Sequence, residues 1–170
     1  MKRIVSVSMI VCILLCLCAC SENTQNIKEP ISFYYRMRDI QYDTEGSILA
    51  TEICERYGHT EDYEYLLQGY LAGPKSDECI SPFPAGTSLE SINLVMNKVH
   101  IVLSEHLSML SGSDLIIACA CLSKTVLEMT DAQSVQISSL NSQLNGQDYI
   151  TMNRDSSVFW DSFPVQLGKH

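Results

Sequence analysis

The sequence predicts an α+β fold: a two-layer sandwich with a mixed, largely antiparallel sheet and two helices on one face, in the order ββαββαβ. Three stretches carry that reading. Tyr63 to Leu71 places apolar residues at helical spacing and stops at Gly73-Pro74. Glu90 to Met96 and Val99 to Leu103 alternate as two paired strands do. Leu115 to Met129 is apolar around most of its helical circumference, as a helix packed centrally on a sheet is.

In chain order, Ile31 to Arg38 is rich in β-branched and aromatic residues and predicts a strand. Asp39 to Ser47, with Asp43, Glu45 and Gly46, is a turn region. Ile48 to Tyr57 is the return strand, with a short helix as the other reading of that segment. After Gly58-His59, Thr60 is a helix N-cap, and Glu61 and Asp62 follow where the helix dipole favours negative charge. Tyr63, Leu66, Leu67, Tyr70 and Leu71 then form one apolar face. Gly73 suits a left-handed helix stop, and Pro74 forbids continuation.

Lys75 to Ser88 is a crossing rich in Ser, Pro and Gly. The two strands after it form a hairpin turning at Asn97-Lys98, with Ile92, Leu94 and Met96 on one face of the first and Val99, Ile101 and Leu103 on one face of the second. Ser104 to Gly112 is a connection, and Ser113 or Asp114 caps the second helix, which Thr130-Asp131 ends. Ser134 to Ser139 is another strand, Leu140 to Gln147 a polar turn containing Asn145-Gly146, and Asp148 to Met152 a final strand.

The N-terminus reads as an export segment. Lys2-Arg3 is a positive n-region, and Ile4 to Leu17 is an apolar run of 14 residues, short for a membrane span. Leu17-Cys18-Ala19-Cys20 resembles the bacterial lipobox. That resemblance implies a diacylglyceryl group on the Cys20 sulfur, cleavage before Cys20 and fatty acylation such as palmitate. The expected organisation is a lipoprotein signal peptide over 1–19, a lipidated tether over 20–30, a domain over 31–152 and a C-terminal tail over 153–170. Localisation is then the extracytoplasmic face of the cell membrane, with the lipid bilayer engaged through Cys20. The tail carries Phe159, Trp160 and Phe163.

The formal net charge is −9, and it becomes −11 without Lys2 and Arg3. So acidic a body repels nucleic acid, which is excluded as a direct partner. Four of the eight cysteines lie in the first twenty residues; Cys54, Cys79, Cys119 and Cys121 remain. They allow three pairings, and Cys54–Cys119 or Cys54–Cys79 stays open beside the reading as small buried hydrophobes. Cys119 and Cys121 fall about 200° apart around a helix and cannot share a metal.

The residues Leu66-Leu67, Gly73-Pro74, Pro84-Ala85-Gly86-Thr87, the hairpin Leu89 to Ser104, Lys124-Thr125-Val126 and Val135-Gln136-Ile137 together resemble the GerMN domain. That is the sporulation and spore-germination module of bacterial envelope lipoproteins. Its hairpin prefers Asp or Asn with Gly where this chain has Asn97-Lys98, and a polar residue at Val102. The resemblance implies a non-enzymatic, membrane-tethered module that binds a protein partner or self-associates, in sporulation or germination, with no catalytic residues, cofactor or metal.

The alternative is a small-ligand-binding or enzymatic surface lipoprotein. It predicts a concave pocket of several hundred Å³ with converging polar groups. A deep pocket holding His100, Glu105 and His106 together would favour it, although no HxH, HxxxH or HExxH spacing is present. Tyr34, Tyr35, Tyr63, Tyr65 and Tyr70 are read as core packing rather than a binding face.

Overall fold

The computed structural model describes residues 30–39, 48–55, 59 and 61–157. The export segment with Cys20, the tether up to residue 29, most of the 39–47 turn, Thr60 and the aromatic tail lie outside the described residues. The elements are β1 (Pro30–Met37), β2 (Leu49–Glu55), α1 (Tyr63–Leu71), β3 (Cys79–Ile80), β4 (Leu89–Val95) and β5 (Lys98–Leu103). A 3-10 turn (Glu105–Met109), α2 (Gly112–Met129), β6 (Ser134–Ser139), β7 (Ile150–Asn153) and one helical turn, α3 (Arg154–Ser157), complete the order.

The α+β, largely antiparallel class holds, but the strands divide between two sheets, ordered β2-β1-β3 and β4-β5-β6-β7. Among the described strands only β5 and β6 are parallel, joined through α2 as a parallel pair requires. The division has a local cause at Tyr34. Its N–H donates to Thr125 Oγ1 (2.9 Å), and its carbonyl accepts from the Tyr70 hydroxyl (2.7 Å). Side chains of two helices take the backbone groups that a neighbouring strand would otherwise pair. On that side β1 meets β3 at Arg36 and Met37 alone.

The long helix is central, as its composition predicts. Leu115, Ala118, Cys119, Leu122 and Val126 are buried, and so are Cys121, Ser123 and Thr125 on its other sides. It packs against β1 of one sheet and β6 and β7 of the other. Its small residues Ala118 to Cys121 allow close approach of both layers. That is why two cysteines on different sides of one helix are both inside.

Several boundaries differ from the sequence reading. The cap of α1 is Asp62, whose carboxylate accepts from Tyr65 N (3.0 Å). The second helix starts at Gly112, with Ser111 rather than Ser113 or Asp114 as its N-cap residue. The hairpin turns at Met96-Asn97, because Val95 pairs with Lys98. Met96 takes φ 54° there and is 93% exposed, so the ladder ends one residue earlier than the apolar alternation suggests. Ile48 to Tyr57 resolves as strand over Leu49–Glu55. Asn145 and Gly146 both have positive φ, as the tightest two-residue turns require, and the turn drives Leu144 fully into the core.

Candidate interaction groove

Helix α1 is nine residues long and meets the three-stranded sheet at β1, where Tyr70 stacks on Tyr35. A groove of about 580 Å³ is left between α1 and β2. Phe33 and Tyr35 of β1 and Leu66 of α1 form its floor; Glu52, Cys54 and the β2 backbone form one wall, and Tyr65, Gln68 and Gly69 the other. Gly69 contributes openness: a β-carbon built there meets nothing within 4 Å.

An aromatic cluster holds the floor rigid. Tyr35 and Tyr70 stack at 4.9 Å between ring centroids, and Phe33 and Phe83 meet Tyr70 edge-on at 5.4 and 5.7 Å. The Tyr35 hydroxyl donates to the Tyr70 carbonyl (3.0 Å), and the Tyr70 hydroxyl is hydrogen-bonded with both Tyr34 and Thr125. Burial pushes both phenols well above their ordinary range, so they are neutral hydrogen-bonding groups rather than bases.

One end of the groove is tied by Glu52, whose Oε2 accepts from the Lys75 and Ser76 amides at 2.8 and 3.0 Å. Those amides follow Gly73, which has φ 100° as its helix-stop role requires. The rim is apolar and acidic. Tyr65 is 54% exposed and stacks on His59 at 4.0 Å, and Ile53 is 63% exposed. Glu55 lies on the rim, and Glu64 accepts from the lining Gln68. The Cys54 thiol is raised by burial first and by Glu52 and Glu55, against the lowering effect of Lys75. It is therefore a poor thiolate nucleophile.

The histidine constellation does not form. His100 lies on the face of β5 opposite Val99 and Ile101, in register with Asn93 and Gln136. The His106 ring packs on Gly86, where an added β-carbon would stand 3.2 Å from Nε2, and its Nδ1 is 3.4 Å from Ser104 Oγ. His106 therefore props the Pro84-to-Thr87 turn, closed by Thr87 N–H and Oγ1–H donating to the Pro84 carbonyl. Glu105 is exposed. Among the described residues, no three His, Cys, Asp or Glu side chains form a metal-binding group, and Cys54, Cys79, Cys119 and Cys121 are free thiols.

The tyrosines divide. Tyr35 and Tyr70 are core, as expected; Tyr65, which lies off the apolar face of the helix, is on the groove rim and not in the core. Arg154 went unnoticed in the sequence, where nothing marks it. Its guanidinium donates to the carbonyls of Leu127, Thr130 and Ala132 at 2.8–3.2 Å and closes the C-terminal end of α2.

The family model described as "Germane: Sporulation and spore germination" matches residues 33–145. Among solved structures, the tandem GerMN domains of the sporulation protein GerM from Bacillus subtilis align with TM-score 0.56 and 17% identity, over 81% of this chain and 49% of that one. A candidate lipoprotein from Clostridium perfringens aligns with TM-score 0.48 and 16% identity, over 75% of this chain and 89% of that one. No curated protein matches. This chain thus spans about half the length of the tandem chain, and at 17% identity that likeness speaks to the fold alone.

Proposed function

We propose, from the premise that this chain belongs to the sporulation and spore germination (GerMN) family, that it is an envelope lipoprotein working by protein–protein contact rather than catalysis. The family match over residues 33–145 is the observation that carries the reading. Cys20 anchors the chain in the lipid bilayer, and the tether presents the domain on the extracytoplasmic face of the cell membrane. Among the described residues no helix is long and apolar enough to cross a membrane. The domain contributes a binding surface to a sporulation or germination assembly.

The groove supports this reading through its open rim, its apolar floor and phenols that burial keeps neutral. A second reading, small-molecule binding, is favoured by the groove's volume, which falls in the range of ligand sites. Against it, the Glu52 carboxylate is turned to the Lys75 and Ser76 amides instead of converging with other polar groups on one point.

Anchoring is tested by fractionating cells that carry the native chain or Cys20→Ala. The native chain is expected in the membrane fraction with incorporated fatty acid, and the variant unlabelled and unprocessed. Equal labelling and processing of both chains would contradict the anchor.

A further inference from the structure

We infer that the outer edge of β2 and the groove beside it accept an extended peptide segment of a partner protein, apolar and basic in alternation, as an added strand. This rests on the protein-binding role proposed above and names the surface and the partner's chemistry.

The backbone supplies the first argument. Tyr34 directs its N–H and carbonyl away from β2, to Thr125 and Tyr70. In an antiparallel ladder, the residue opposite then turns its own backbone groups outward as well. Thr51 stands opposite Tyr34 and Ile53 opposite Ser32, so both present their N–H and carbonyl on the outer side of β2. Among the described residues no strand pairs with that side. An extended peptide is the ligand whose hydrogen bonds match such an edge.

Side-chain alternation supplies the second argument. Glu52 and Cys54 share the groove face with Phe33 and Tyr35, whereas Ile53 and Glu55 share the opposite face. A strand added beside β2 would place every second side chain in the apolar groove and the others next to Ile53 and Glu55. Charge decides the character of that second set. Of the acids, Glu55 lies on that second face, Glu52 faces the groove and Glu64 stands across it on α1, with Lys75 the lining cation, on a chain of net charge −9. A second copy of this chain would bring the same acids face to face, so lysine or arginine on a different protein is the complement.

The test titrates the full chain with two soluble probes, an alternating lysine–isoleucine heptapeptide and its glutamate–isoleucine counterpart. The lysine peptide is expected to bind saturably and to weaken with salt, and the glutamate peptide at least about tenfold more weakly. Ile53→Pro removes an outward N–H that no described strand pairs with, and Gly69→Phe fills the groove from α1; either is expected to abolish binding. Thermal melts of both variants confirm that they fold. Equal binding of the two peptides, binding that survives both substitutions, or self-association at the β2 edge in place of peptide binding would overturn the inference. If peptide binding fails while Cys20 anchoring and a sporulation or germination defect on deletion stand, only this inference falls. If the anchor and the defect fail while the peptide binds, the preceding reading falls instead.

Discussion

Tyr70 of α1 joins β1 and α2. Its ring stacks on Tyr35 under the groove, and its hydroxyl takes the Tyr34 carbonyl that has no strand partner. Tyr70→Phe keeps the ring but strands that carbonyl and a hydrogen bond with Thr125, at a cost of about 1–3 kcal/mol. Chemical denaturation measures it, and a loss below about 0.5 kcal/mol would show that water replaces the hydroxyl. The buried acids make a second prediction. Burial pushes Cys119 from 9.0 up to about 12, and raises Cys121, Tyr35 and Tyr70 as well. Each stays protonated in the fold while the unfolded chain has already released its proton, so stability declines as pH rises. The Cys119 contribution is intact below pH 9 and is lost progressively toward pH 12. Melting temperatures across that window should fall more steeply for the native chain than for Cys119→Ala. At this scale the sequence was partly legible: Tyr63 to Leu71 announces a helix, yet both Thr60 and Asp62 are good caps, and only the observed Asp62–Tyr65 bond chooses between them. Tyr70 falls on the apolar face of the helical pattern and Tyr65 about 140° away from it, so the periodicity separates the two although both were read as core packing.

At the level of elements, the local signals placed each piece and the non-local ones decided their partners. The strands around Val99 and Val135 were readable because one face of each is apolar and buried. The hairpin turn was misplaced by one residue because Met96 continues the apolar alternation of Ile92 and Leu94, although Val95–Lys98 pairing puts it at the tip. Arg154 shows a contact that no local pattern marks. It lies far along the chain from the helix end it caps, where its charge opposes the negative end of the dipole and fills orphan carbonyls. Arg154→Ala is expected to cost about 2 kcal/mol through lost charged hydrogen bonds. Hydrogen exchange should speed up first in the last turn of α2 and in β7. Lysine at the same place restores the charge but not the fork, so it should recover only part of the loss.

For the whole molecule, one apolar core runs from Phe33 of the first sheet through Leu122 of α2 to Ile137 of the second. The sequence predicted the class, the central helix and the family resemblance, and a single sheet in place of two. Splitting the sheet needed the meeting of Tyr34, Tyr70 and Thr125, three positions far apart in sequence whose residue types carry no such signal singly. The groove was equally invisible, because it is the part of a sheet that a short helix fails to cover. Its consequence belongs to this scale too: an acidic domain, if held at the membrane through Cys20 as proposed, would present one apolar-floored edge to a neighbour. The most direct measurement replaces Tyr65 with a photo-crosslinking phenylalanine analogue in the full chain in its own membrane. A discrete protein adduct that disappears with Ile53→Pro and with Gly69→Phe is the predicted result. A folded, membrane-bound chain that yields no protein adduct, or the same adducts with both substitutions, would contradict the account.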